Sequence, residues 1–211
     1  MRLALASCLA VAGLTGASQP PVWPELVHAH CSQRIPGTAA GEDQLSQVEL
    51  FYDWAGGRNA NLIRGQHDEL GVLVDMEWNN GSTYYYHGGG AADCRSLRFP
   101  VGILSPDWLS NATYRGVERV SGFDCERWEK ADFIIYWNRV DADRRPVKWI
   151  FTDQNMSVDV ISWVEGENMA EADWQVDPSC FTGRAARARR RPPKARVPCA
   201  RVEEPCACTK I

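Results

Sequence analysis

Asp75 and Glu77 stand two residues apart in the run Val72-Leu73-Val74-Asp75-Met76-Glu77-Trp78. Alternate side chains of an extended chain share a face, so both carboxyls project together at a separation of ~6.5–7 Å. Such a pair suits glycoside chemistry, in which one carboxyl donates a proton and the other activates water. Trp78 and the run Tyr84-Tyr85-Tyr86 offer rings that could stack on a sugar. The simpler explanation is an amphipathic strand with Val74, Met76 and Trp78 on its apolar face and the acids in solvent.

Other reactive residue types lack the company that chemistry needs. His28-x-His30 puts two imidazoles on one face of an extended chain, but a zinc site takes a third and a fourth ligand, so they read as a surface pair. No G-x-S-x-G is present, and the four histidines have no recognisable Ser or Cys partner. Gly88-Gly89-Gly90 lacks the spacing and the Lys-Ser/Thr of a phosphate loop and reads as a flexible loop. Neither a metal nor another cofactor is expected, and the balance leans away from an enzyme.

The elements that must carry these residues are marked by aromatic runs. Trp54 in FYDW, Trp78 in DMEWNNG, Trp137 in FIIYW, Trp149 in VKWIF and Trp163 in ISWVEG sit in segments with strand composition. Period-two alternation and turn residues predict strands over 48–54, 61–65, 70–78, 82–87, 94–99, 117–120, 125–130, 132–140, 147–152 and 156–164. Asn79-Asn80-Gly81 supplies tight-hairpin chemistry, because both Asn and Gly accept positive φ. Ser105-Pro106 predicts an N-cap and first-turn proline for a short helix to about Ala112. Ile134, Ile135, Tyr136 and Trp137 are apolar on both faces, as in a strand covered on each side.

The ends differ from this middle. Met1-Arg2, an apolar run from Leu3 to Leu14 and small residues to Ser18 have the layout of a signal peptide over 1–18. The apolar run is shorter than the ~20 residues of a spanning helix, so no transmembrane span is expected. Residues 19–44 are proline-rich without an apolar period and read as an extended arm; 45–183 read as an antiparallel β domain. Residues 184–211 hold 9 Lys+Arg against 2 Asp+Glu and read as a basic disordered tail, leaving 14 against 25 before them. A domain that acidic would repel phosphate, which argues against nucleic-acid binding.

Cysteine usage fits an oxidising compartment. With Cys8 removed in the signal, Cys31, Cys94, Cys125 and Cys180 lie in the domain and Cys199, Cys206 and Cys208 in the tail. The four domain cysteines admit three pairings, of which Cys94 with Cys180 is preferred, leaving Cys31 and Cys125 as candidate partners. Asn80, Asn111 and Asn155 each begin an N-x-[ST] sequon. A secreted glycoprotein, extracellular or in the secretory lumen, is the expectation.

From about Val48 to Phe181 the chain resembles a group of secreted plant and algal proteins of unestablished function, sometimes labelled glycosyl-group transferases. The resemblance is carried by Asp53-Trp54 with Gly57-Arg58-Asn59, Glu77-Trp78-Asn79-Asn80-Gly81, Val101-Gly102-Ile103-Leu104 with Pro106 and Trp108-Leu109, and Val120-Ser121-Gly122-Phe123. It continues through Cys125, Trp128-Glu129-Lys130, Arg145-Pro146-Val147, Trp149-Ile150-Phe151 and Cys180-Phe181. More distantly, a Gly-x-x-Cys-x-x-Trp-Glu strand followed by Tyr-rich and Pro-Val strands looks like ependymin-related proteins, which are similar in fold to bacterial lipoprotein carriers. That resemblance implies apolar-ligand or lipid binding and calcium-sensitive behaviour. Arg145 stands before Pro146 where an ependymin cysteine is expected, so their disulfide pattern does not transfer whole.

The expected fold is mainly β: one curved antiparallel sheet, a half-barrel of roughly nine to eleven strands with one or two short helices. Its concave face would bind an apolar or amphipathic ligand without chemistry, lined by Trp78, Tyr84, Tyr86, Trp137 and Trp149. The alternatives are a carbohydrate-active enzyme using Asp75 and Glu77, and an extracellular interaction module with a filled core.

Overall fold

The computed structural model describes residues 19–37, 41–65, 71–88 and 94–181. The expected signal segment and the basic tail, with Cys199, Cys206 and Cys208, lie outside the described residues. Eleven strands run in chain order: β1 (Leu26–Ile35), β2 (Gln44–Asp53), β3 (Arg58–Gly65), β4 (Leu73–Trp78), β5 (Ser82–His87), β6 (Arg95–Arg98), β7 (Thr113–Val120), β8 (Phe123–Lys130), β9 (Ile134–Arg139), β10 (Pro146–Phe151) and β11 (Met156–Glu165). They form a single antiparallel, unclosed sheet in the order β6-β5-β4-β3-β2-β1-β11-β10-β9-β8-β7.

This order follows from hairpins with one exception. Each strand pairs with its chain neighbour except across β6 to β7, which are the two opposite edges. The connection over 99–112 must therefore cross one whole face. Its apolar residues Ile103, Trp108 and Leu109 are buried against that face. The Ser105-Pro106 start predicts a helix here, whereas the segment is a chain of turns, with Trp108 N bonded to Ser105 O, Ser110 N to Asp107 O and Ala112 N to Leu109 O. A strap that feeds three apolar side chains downward within a short crossing needs changes of direction that a helix would not supply. Among the described residues, helix is confined to two short 3-10 segments, Glu171–Trp174 and Pro178–Phe181.

The stretch expected as an extended arm is extended, but Leu26–Ile35 of it pairs on both sides, with β2 and β11, at the middle of the sheet. Val27, Ala29 and Cys31 are buried on one face while His28 and His30 occupy the other. Its proline-rich lead-in masked that alternation.

Curvature follows from which residues meet. β4 and β9 are six strand spacings apart, ~29 Å on a flat sheet at ~4.8 Å each. Asp75 and Glu77 of β4 nevertheless line the same cavity as Ile134 of β9, so the crossed face is the concave one. Register breaks at His30/Cys31, Tyr114/Gly116 and Pro146/Lys148 supply local bending of the kind β-bulges produce. At the β4–β5 turn, Gly81 has φ +84°, and a Cβ there would lie 2.2 Å from Phe99 O. Glycine is thus required both by the turn and by the strap that rests on it.

The main core lies under the strap, with Trp23 in its midst. A second cluster on the convex face, including Phe51, Met76, Tyr86 and Trp174, is covered by 167–181. That cover is fastened by the Cys94–Cys180 disulfide and by Arg58, whose guanidinium bonds Asp53 at 2.8 Å and Glu171 while lying 4.4 Å over the Trp174 ring. Burial pushes the Asp53 carboxyl up, but hydrogen bonds from Gly56 N, Arg58 and Asn168 outweigh it and hold it below the usual carboxylate range.

Cys31 and Cys125 do not pair. Both are buried free thiols, on β1 and β8, strands separated in the sheet by β11, β10 and β9. Cys31 faces the main core and Cys125 a small cluster with Trp137 and Val147. Burial pushes the Cys31 thiol up to about 12.

Because the disulfide spans 86 residues of sequence, its loss releases a long loop in the unfolded chain. Replacing Cys94 and Cys180 by Ser should lower stability by about 2–5 kcal/mol in denaturant unfolding. The same shift should follow reduction of the wild-type chain.

Candidate functional site

The strap and the concave face border a partly open cavity of about 400 Å³. One wall is apolar: Cys31, Val48, Leu50, Trp149, Phe151 and Val158 of the sheet, with Ile103, Leu104 and Trp108 of the strap above. Beside it lies a polar wall, made of Asn59 and Asn61 on β3 and Asp75 and Glu77 on β4. Cross-strand register builds this wall directly, since Asn59 faces Glu77 and Asn61 faces Asp75. Asn59 Nδ2 donates to Glu77 Oε2 at 3.0 Å, and Asn61 Nδ2 to Asp75 Oδ2 at 3.3 Å.

The two acids are therefore turned into the molecule, away from solvent. Asp75 is only 8% exposed. Burial, reinforced by the neighbouring Glu77 charge, pushes its carboxyl up to about 7, with Asn61 and Tyr85 pulling the other way. Glu77 is also raised, by burial against the bond from Asn59. Asp75 Oδ1 and Trp108 Nε1 are buried without a protein hydrogen-bond partner, one on the polar wall and the other in the strap. An unmet acceptor and an unmet donor in one cavity can be met by water or by a guest with polar groups of its own.

Of the expected ligand-binding residues, only Trp149 lines this cavity. Trp78, Tyr84 and Tyr86 stand on the convex face, because Trp78 pairs with Arg58, Tyr84 with Met76 and Tyr86 with Val74. There they pack in or against the cluster covered by the 3-10 segments, with Tyr84 5.6 Å from Phe181. Trp137 is likewise outside the cavity, with Cys125 and Val147, donating its indole N–H to Glu118 and lying 5.8 Å from the Arg127 guanidinium. The tyrosine on the acids' face is Tyr85, the register partner of Asp75. Period two forces this choice: residues that alternate with Asp75 and Glu77 cannot share their cavity.

The strap residues Ile103 and Trp108, the asparagines and Trp23 were not indicated by the aromatic strand pattern. A cross-strand signal existed in Asn59-x-Asn61 opposite Asp75-x-Glu77, but reading it needs the pairing register. The sequon residues Asn80, Asn111 and Asn155 are all exposed and lie in turns. Asn111 and Asn155 adopt positive φ, and Asn80 Oδ1 accepts from Ser82 N at 2.9 Å.

Asp75 gives a pH signature. An ordinary aspartate carboxyl titrates near ~3.9, so between that value and about 7 the folded chain keeps a proton that the unfolded chain has lost. Stability therefore falls as pH rises through this window. Asp75→Asn should raise the unfolding free energy at pH 8 by an amount on the order of 1–3 kcal/mol, with the gain vanishing towards pH 4. Thermal unfolding of both chains across this range measures it.

Known structures align with this chain at low identity. A crystal structure of an uncharacterized conserved protein from Thermus thermophilus aligns with TM-score 0.49 and 9% identity over 72% of this chain and 84% of that one. A DUF1329 family protein from Desulfovibrio piger aligns with TM-score 0.35 and 13% identity over 72% and 90%. A protein domain from Vibrio parahaemolyticus described as outer membrane lipoprotein-sorting aligns with TM-score 0.33 and 11% identity over 71% and 89%. Among curated proteins none matches the chain by sequence. Residues 22–180, which run from the lead-in of β1 to the disulfide on the convex face, match one family, and the chain belongs to it: the domain of unknown function DUF8395.

Proposed function

We propose that this chain is a secreted, non-catalytic protein that binds an apolar or amphipathic ligand inside its curled sheet. The cavity of about 400 Å³ beneath the strap carries this reading. Its size falls in the ~300–1,000 Å³ range of small-molecule pockets, and its division into an apolar and a polar wall suits a guest of the same division. An aliphatic or ring portion would lie against Trp149, Phe151 and Val158. A hydroxyl- or amine-bearing end would meet Asp75, Glu77, Asn59 and Asn61. Secretion is supported by the signal-like first 18 residues, the Cys94–Cys180 disulfide and three exposed sequons.

Native mass spectrometry after incubation with a lipid extract tests the binding. The expected result is a retained apolar or amphipathic species. Val158→Phe, which projects a larger ring into the cavity, should weaken retention at a stability cost of about 1–3 kcal/mol. An intact wild-type fold that retains nothing would sink the proposal.

A second reading is glycosyl hydrolysis or transfer by Asp75 and Glu77, favoured by one observation: both line the cavity and both have raised pKa values. A carboxyl kept protonated near neutrality is what a general acid requires. If it holds, an Asp75→Asn, Glu77→Gln chain should lose glycosidase activity by ~10²-fold or more on a panel of aryl glycosides. Activity unchanged by the double substitution would eliminate it.

A further inference from the structure

On the convex face, at the middle of the sheet, His28 and His30 of β1 meet Glu49 of β2. The Glu49 partner in register is His30. One ligating atom from each of the three lies within 4.8 Å of the others. His28 Nε2 is 3.1 Å from Glu49 Oε1, and the two imidazoles are 4.9 Å apart between ring centres. The third ligand that the His-x-His pair lacks in sequence is thus supplied by the neighbouring strand.

Two further features suit a metal at this cluster. His28 Nδ1 lies 3.0 Å from Glu167 Oε2, so its two nitrogens face different carboxylates. A carboxylate on one imidazole nitrogen fixes the tautomer in which the other nitrogen is free to ligate, as seen around zinc-binding histidines. The ring is also held in plane by Phe51, stacked at 4.3 Å with 6° between planes. Glu49 has its second oxygen 3.4 Å from Arg64, which leaves Oε1 to the histidines.

We propose that His28, His30 and Glu49 bind a divalent ion of the zinc class, with Glu167 orienting His28. Imidazole and carboxylate donors select zinc, copper(II) or nickel over calcium or magnesium. Tetrahedral bonds of ~2.0–2.1 Å need donor separations on the order of 3.3 Å. The His28–Glu49 pair is already close to that. His30 is exposed, so rotation of its side chain closes the rest. The ion would join β1 and β2 to the segment after β11 through Glu167, and its remaining coordination positions would face solvent.

The test is zinc titration of the full chain with Cys8, Cys199, Cys206 and Cys208 replaced by Ser, which removes competing thiols outside the described residues. One saturable equivalent of zinc is expected, with a rise in the unfolding midpoint. His30→Ala should abolish this binding while far-UV dichroism stays unchanged, since the side chain is exposed. Glu167→Gln should weaken it by ~10–100-fold. No saturable zinc binding in the Ser background, or equal affinity after His30→Ala, would overturn the site.

Discussion

The indole of Trp23 is the contact on which most of the concave side depends. It lies in edge or tilted geometry against Tyr52 at 5.7 Å, Trp108 at 5.7 Å, Trp149 at 6.1 Å and Trp163 at 5.1 Å. Its Nε1 donates to Tyr136 Oη at 2.9 Å, and its backbone N–H bonds Pro106 O. One side chain thereby joins the lead-in to β1, four strands and the strap. Edge-to-face pairs add about 0.5–1.5 kcal/mol each beyond area burial, but the larger effect is geometric. Strands from both halves of the sheet and the crossing segment can only reach one ring if the sheet is curled and the strap is down.

The strap sets what the curled sheet can do. A face left open would expose a long apolar surface, and a face fully packed would leave no room for a guest. The segment over 99–112 takes an intermediate course. It is pinned by Tyr52 Oη donating to Leu104 O at 2.9 Å and by Lys130 donating to Trp108 O, and it buries Ile103, Trp108 and Leu109. Beside this plug the space bounded by Asp75, Glu77 and Trp149 stays open. The cavity is thus a consequence of topology: β6 and β7 are opposite edges, and their connection covers the face between them without matching its whole width.

How much of this is legible in the sequence depends on whether the information is local. Alternation along Val48-Leu50-Tyr52 and Leu73 to Trp78 is local, and it predicts strands that are present. The face of each strand that becomes concave is not local. Val74, Met76 and Trp78 are apolar, so Asp75 and Glu77 read as solvent-facing; both faces of β4 are in fact covered, one by the strap and one by 167–181. The same ambiguity turned Trp78, Tyr84 and Tyr86 into pocket candidates, when Tyr85 was the residue of correct parity. Trp23 and Trp108 lie outside periodic runs, so nothing in their neighbourhood marks them as core. Cys94 and Cys180 could be paired by preference, while the free state of Cys31 and Cys125 needed the strand order.

The polar wall is the feature that packing alone does not account for. Burying two carboxylates on adjacent alternate positions opposes folding, because each loses water and each raises the energy of the other. A Val or Leu at either position would continue the apolar lining from Val48 and Ile63 and remove that opposition. Instead the wall is built with matched partners, Asn59 for Glu77 and Asn61 for Asp75, which support the acids without neutralising them. Amide donors leave a carboxyl free to accept a further hydrogen bond or, near neutrality, to donate one. Asp75 Oδ1, buried and unpartnered, is where that capacity remains. Asp75 thus keeps its acceptor capacity, at a cost to folding, on the face that the strap covers and where the cavity lies.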